Sequence, residues 1–513
     1  MKNHNCMLAM FLMLAAVVQP GLAADAKPEG EAKVAQSEKP VPEAKVWVTK
    51  HKSRIGGASL AYTATAGTML IKNGDDESIA LFGFTAYVKD DGDPRTRPIV
   101  FAYNGGPGSA SAWLHMGILG PKRTVLQDLD TNAQGPFRTV ENEYSILDRA
   151  DLVMIDPVGT GFSRTVGKGD QKDFWGVDQD IKSVSDFIVN YLNQYGRWAA
   201  PKFILGESYG GMRSAGVAYE LLTKHNVALN GVVLVSPYLD LGSGNAGLQL
   251  DAPYVNFLST YAATAWYHNA LTQRPAELLP FLREAEAFAE DVYAPVLFKG
   301  ARATAAERQQ VLAGLERFTG VSASYWGKAN LRMDEGHFLQ ELMRERGEIV
   351  GRIDTRYVGG TLNQLSETTD YDPYSSAIAP AIVATFNDYY RKELEVESDR
   401  EYVLSGQLYK DWDQRHKQPD INWRVPIPNT SVDLAHAMIM NPKMKVLVQT
   451  GYFDLACPYR TVEYVLEHLT LPSKLRDNIG VEYYEAGHMM YVHPASMKKF
   501  KDDLAGFIDA NRG

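Results

Sequence analysis

Hydrophobic positions run in two rhythms along the 513 residues. From Val46 the period is two: segments 47–52, 59–64, 68–71 and 77–89 alternate apolar and polar residues between Gly, Asn and Asp turns. That pattern predicts an antiparallel meander. Continuous apolar runs follow at 98–103, 152–155, 202–206, 231–235 and 445–449, as strands buried on both faces require. Residues 480–484 carry one more strand pattern, and helical spacing at 177–195 and 212–224 falls between the runs. The sheet is therefore expected to be mixed and mostly parallel, with crossover helices. Between Ser236 and about Asn441 this order is lost, and amphipathic helical stretches take over at 276–292, 305–319, 336–347 and 379–396. The sequence predicts an α/β fold of the α/β-hydrolase type: core residues 46–235 and 442–513, interrupted by a mainly helical cap at 236–441. Insertions of that kind close sites and set specificity.

Ahead of the meander, Lys2 and polar neighbours precede an apolar stretch at 7–18 and the small residues around Ala23. This is the layout of a Sec-type signal peptide over residues 1–23, too short to span a bilayer. Residues 24–45 have almost nothing to bury and are expected to form a disordered linker. Cys6 lies in the leader, so the exported chain would keep only Cys457 and form no internal disulfide. That suits a bacterial periplasmic or secreted enzyme. A net charge of −10 argues against nucleic acid or an anionic membrane as partner. With 45% apolar and 22% charged residues the composition is that of an ordinary globular protein. The sequon Asn429-Thr430-Ser431 reads as a chance match. No cofactor is expected, and the oligomeric state is not legible.

The chemistry concentrates at Gly206-Glu207-Ser208-Tyr209-Gly210. An apolar strand before it and a helical pattern after it make a nucleophile elbow, with Ser208 exposed on a sharp turn. A serine hydroxyl needs a base, and the base a partner that fixes its tautomer. The chain order in this fold is serine, acid, histidine. Asp454 stands just past the strand at 445–449, and His488 just past the strand at 480–484, where crevice residues lie in an open α/β sheet. Asp454 could instead be a turn residue; Glu463, the nearest rival acid, sits in a helical pattern. His488 and His493 have no helical metal-pair spacing and no H-E-x-x-H occurs, so no metal site is expected. A Gly-rich run, Asn104-Gly105-Gly106-Pro107-Gly108, follows the strand at 98–103 without the G-K-[ST] of a phosphate loop. Its Gly106 amide and that of Tyr209 would supply an oxyanion hole, each donor being worth about 2.7–4 kcal/mol of barrier.

Together, Asn104-Gly105-Gly106-Pro107-Gly108, the run 156–163 (D-P-V-G-T-G-F-S), Gly206-Glu207-Ser208-Tyr209-Gly210-Gly211 and Ala486-Gly487-His488-Met489 resemble the serine carboxypeptidase family (peptidase family S10), in a bacterial exported form. The resemblance implies removal of C-terminal residues from peptides through an acyl-enzyme. It makes Ser208 the nucleophile, Asp454 the orienter and His488 the base, and it assigns the substrate's terminal carboxylate to Asn104 and a protonated Glu207. The family usually has a tryptophan and a second glutamate where this chain has Ala102 and Ile118, so Glu207 is expected to lack its carboxyl partner. Cys457 matches a cysteine lining the substrate pocket of some members, or is a small buried hydrophobe. Met489 resembles a leaving-group pocket residue, or is core packing. An esterase or acyltransferase of the same fold is the alternative the two departures favour. A non-catalytic binding protein would have no need of Ser208, Asp454 and His488 together.

Overall fold

The computed structural model describes residues 39–131, 134–248 and 250–513. The expected leader at 1–23, Cys6 and most of the linker at 24–45 lie outside them. A ten-stranded sheet organises the rest. Its main path uses β1 (Val46–Ile55), β2 (Ala58–Lys72), β3 (Ser78–Lys89), β4 (Ile99–Tyr103), β5 (Asp151–Asp156), β6 (Lys202–Glu207), β7 (Gly231–Val235), β8 (Lys445–Gly451) and β9 (Ile479–Tyr484). Their spatial order is β1-β2-β3-β5-β4-β6-β7-β8-β9, and the two-residue strand Arg164–Thr165 pairs with β3 off this path. β1, β2 and β3 pair antiparallel, and β3 meets β5 antiparallel. From β5 to β9 every pairing is parallel. The mixed, mostly parallel α/β-hydrolase sheet read from the sequence is the observed one.

One strand differs from its reading. Segments 59–64 and 68–71 are a single strand, β2, because Gly67 does not turn. It lets the chain ahead of β1 lie close, where a Cβ would stand 2.6 Å from the Lys45 carbonyl oxygen.

The buried strands alternate between two cores. Ile204, Val232 and Val446 pack on one face beneath α1 (Val177–Gln194) and α2 (Tyr209–Lys224). Phe203, Val233 and Leu447 face the other core, which takes Phe500, Leu504 and Ile508 of the C-terminal helix Pro494–Asn511. Each such side chain contributes about 1.5–3 kcal/mol by leaving water, so both faces must stay covered. Residues between β7 and β8 include the helices α3 (Ala252–Tyr267), α4 (Leu278–Phe288), α5 (Ala305–Thr319) and α6 (Pro373–Lys392). α3 to α5 pack around their own cluster of Phe257, Tyr261, Leu282, Val311, Leu315 and Trp326. Phe453 and Leu455 join that cluster from the loop after β8. α3 escaped the sequence reading because nearly all its residues are buried, which erases the polar face that marks a surface helix.

Register positions the site. Tyr103 pairs with Gly206, Glu207 with Val235, and Gly451 with Tyr484. The carboxyl ends of β4, β6, β8 and β9 therefore open onto one edge, the usual place for a crevice in such sheets.

Candidate active site

Ser208 stands between β6 and α2 with φ 62° and ψ −127°, a strained conformation for a residue with a Cβ. Backbone bonds clamp it: its N–H donates to the Val235 carbonyl at 3.0 Å, and its carbonyl accepts from the Tyr238 and Gly211 N–H groups at 3.0 and 2.8 Å. α2 starts at Tyr209, so the Tyr209 amide has no acceptor within its own helix. The loop after β4 presses on the same corner. A Cβ at Gly105 would lie 2.5 Å from the Tyr209 nitrogen, so only glycine admits that approach. Gly106, Ser208 and Tyr209 line one cavity of about 510 Å³.

His488 and Asp454 meet at its wall. His488 Nδ1 lies 2.8 Å from Asp454 Oδ2, and Asp454 is fully buried. The other carboxylate oxygen accepts from the Ala456 and Cys457 amides at 2.9 and 2.8 Å. The carboxylate is thus held in one orientation, and Nδ1 must carry the proton that bonds it, leaving Nε2 as the basic nitrogen. Burial alone would lower the imidazole's pKa, but contact with Asp454 outweighs it and raises it well above the ordinary histidine value. Cys457 touches the same ring; burial pushes its thiol up, so it faces the imidazole uncharged. Residues between β7 and β8 brace both loops. The His488 N–H donates to the Ile353 carbonyl at 2.8 Å, the Leu455 N–H to the Arg352 carbonyl at 3.2 Å, and the Gly487 N–H to Asp354 at 3.1 Å.

Glu207, buried beneath Ser208, is bonded through both oxygens. Asn104 Nδ2 donates to Oε1 and the Tyr491 hydroxyl to Oε2, each at 2.7 Å. The Asn104 amide cannot be reversed, because its oxygen accepts from the Leu114 N–H at 3.0 Å. Burial pushes the Glu207 carboxyl up to about 7, against the lowering effect of the His488 charge and of the two bonds. Its neighbour is a phenol, not a second carboxyl. Beneath the loop after β4, Arg213 donates to the Asn104 carbonyl and to Asp180, each at 2.7 Å. This ion pair is buried, with side-chain exposures of 1% and 3%.

The structure brings the residues expected to act in catalysis and substrate contact to this place. Ser208, Tyr209, His488, Asn104, Gly106, Glu207, Cys457 and Met489 line the cavity, and Asp454 lies behind His488. Glu463 points elsewhere, to Arg460 and Tyr483, and His493 bonds Ser496 at 2.8 Å. Sequence reading missed Trp113, Tyr238, Arg352 and Tyr374, which line the cavity, and Tyr491. Only Tyr491 carried a signal, its position three residues after His488. Asp454, Cys457 and His488 have donor atoms within 4.8 Å of one another. Because the first and last are already bonded to each other, the trio is a satisfied hydrogen-bonded set, not an open coordination sphere.

A serine on a strained strand-to-helix corner, at the carboxyl edge of a mostly parallel sheet with acid and histidine after later strands, defines the α/β-hydrolase class. Within that class the chain belongs to the serine carboxypeptidase family, peptidase family S10, whose sequence model matches residues 65–497. It is 29% identical over 177 residues to Serine carboxypeptidase-like 10 of Arabidopsis thaliana, covering 32% of this chain and 38% of that protein. It is 33% identical over 147 residues to Pheromone-processing carboxypeptidase KEX1 of Saccharomyces cerevisiae, covering 26% and 18%. The chain thus spans less than half the length of these curated relatives. The crystal structure of KEX1(delta)p, a prohormone-processing carboxypeptidase from Saccharomyces cerevisiae, superposes with a TM-score of 0.53 at 16% identity, over 88% of this chain and 91% of that one. That likeness is one of fold.

Proposed function

We propose that the protein is a serine carboxypeptidase that removes C-terminal residues from peptides. The carrying observation is one cavity holding both a serine–histidine–aspartate arrangement and a buried Glu207–Asn104 pair one residue from the serine. In this reading Ser208 Oγ attacks the scissile carbonyl while His488 Nε2 takes its proton. The Asp454 carboxylate stabilises the imidazolium that results. The Gly106 and Tyr209 amides receive the developing oxyanion. His488 then returns the proton to the leaving amine, and water repeats the sequence on the acyl-Ser208 ester. Asn104 and protonated Glu207 donate to the substrate's terminal carboxylate, which a bare Glu207 carboxylate would repel. Cys457 and Met489 border the bound residues. Residues 236–441 act as the cap that closes over them. Export to a bacterial periplasm or medium, after loss of residues 1–23, completes the proposal; the N-terminal mass of the purified protein tests it.

An esterase or acyltransferase is the second reading, favoured because a phenol, Tyr491, and not a carboxyl, bonds Glu207 Oε2. The deciding assay compares a blocked dipeptide with its C-terminal amide and ester. Preference for the free acid that disappears in Ser208→Ala supports the carboxypeptidase; turnover of esters alone overturns it.

A further inference from the structure

Among the described residues, the wall of the active-site cavity carries one arginine, Arg352, in the segment that meets both catalytic loops. Its backbone is fully engaged. The N–H donates to Asp372 Oδ2 at 2.9 Å, and the carbonyl accepts from the Leu455 N–H at 3.2 Å. The next residue, Ile353, bonds the same Asp372 oxygen at 3.0 Å and receives the His488 N–H at 2.8 Å. With both main-chain groups turned to those partners, the side chain is what Arg352 offers to the cavity. It is exposed and, among the described residues, forms no ion pair and no side-chain hydrogen bond. Arg356, four residues on, shows the opposite case. It is buried and bonded to Asp354 and Asp128 at 2.6 and 3.0 Å. Two other groups of the wall feel the Arg352 charge. Burial raises the pKa of the Tyr238 phenol and of the Cys457 thiol, and Arg352 opposes the rise in both. Tyr238 donates its N–H to the Ser208 carbonyl, and Cys457 touches His488. The unpaired guanidinium therefore stands on the flank of the cavity that adjoins the reacting groups.

We propose that Arg352 selects an acidic side chain on one of the two residues that flank the scissile bond. Peptides with Asp or Glu at the C-terminal or the penultimate position are then the preferred substrates. The inference rests on the carboxypeptidase reading and names its substrate class. A guanidinium presents paired N–H donors in a plane that fits a carboxylate, and a cavity partly closed to water strengthens the attraction. In the same reading Asn104 and Glu207 serve the terminal carboxylate, which leaves Arg352 for a side chain. Glu335 lines the cavity as well. It opens the helix Glu335–Glu341 and, among the described residues, bonds neither catalytic loop, so the cation is the charge set closer to the chemistry.

The test measures kcat/KM at low salt for two sets of blocked dipeptide acids and their C-terminal amides, with the full-length protein and with Arg352→Gln and Arg352→Glu. One set carries Glu, Gln or Lys as the leaving residue, after alanine; the other carries them one position earlier and releases alanine. The wild type is expected to prefer Glu to Gln about tenfold in one set, through KM, the worth of one bond to a charged group. The preference should shrink as salt rises. Arg352→Gln is expected to bring the ratio to about one, and Arg352→Glu to turn the preference to Lys. A purely structural role would lower every substrate alike and leave the ratios as they were, which overturns the proposal. So does a wild type that favours Lys, or that treats Glu and Gln alike in both sets. Loss of all the acids relative to their amides, with the Glu-to-Gln ratio kept, would assign Arg352 to the terminal carboxylate and overturn it too. A wild type that hydrolyses only esters overturns the carboxypeptidase reading itself, and the same Glu-to-Gln comparison on esters then decides the role of Arg352 separately.

Discussion

Replacing Asp454 by Asn changes one heavy atom and inverts a hydrogen bond. One carboxylate oxygen accepts from the Ala456 and Cys457 amides, and the other faces His488 Nδ1. Asparagine must keep its oxygen toward those two amides, since turning it would set an NH2 against two N–H donors. Its NH2 therefore faces Nδ1, which becomes an acceptor, and the ring proton moves to Nε2. The imidazole then presents a proton where it should accept one. An equivalent change in a serine protease triad lowers kcat about 10⁴-fold, which corresponds to about 5.5 kcal/mol of barrier. Shape and burial are kept, so the thermal midpoint should fall by only a few degrees. We expect kcat for a blocked dipeptide to drop by about four orders of magnitude at pH 7, with circular dichroism like that of the wild type. A kcat within about tenfold of wild type, a barrier change near 1.4 kcal/mol, would refute the role of Asp454.

Three further outcomes follow from other parts of the structure. His416 is held between Asp178 and Asp433 at 2.6 and 2.8 Å; burial opposes its charge, yet the two carboxylates push it up to about 9. A raised histidine contributes stability that is fully present below about pH 6.5 and lost as pH rises through 9; urea midpoints measured from pH 6 to 10 should fall in that window, and less so in His416→Gln. Arg213→Ala should cost about 3–5 kcal/mol in chemical denaturation, because Asp180 is left buried and unpaired; a loss below about 1 kcal/mol would show that the pair is solvated. Gly206→Ala puts a Cβ 2.1 Å from the Gly210 carbonyl oxygen and should abolish soluble expression or activity, whereas normal kcat would mean the elbow yields freely.

What was legible in the chain depended on distance along it. Ser208, Asp454 and His488 could be read because each follows an apolar strand, and parallel register brings strand ends together whatever lies between them. Gly231–Val235 was read to the residue for the same reason: full burial leaves a run of apolar residues with turn signals at either side. The merging of two expected strands into β2 was not legible, because it depends on Lys45 lying against Gly67. Tyr491 on Gly117, Tyr374 beside the cavity and Arg213 beneath Asn104 are pairings across 109 residues or more; no local rhythm announces them. Helices between β7 and β8 were harder to read for a related reason, since those buried on all sides lose the polar face from which they are read.

The central claim is that Ser208 is the nucleophile and His488 its base. Its most direct test is peptide mapping by mass spectrometry after exposure to a fluorophosphonate. One adduct on the peptide containing Ser208, absent from Ser208→Ala and formed at least a thousandfold more slowly in His488→Ala, by about the rate effect of losing a triad base, is the result expected. An adduct on another residue, or labelling that survives Ser208→Ala with hydrolysis intact, would contradict it.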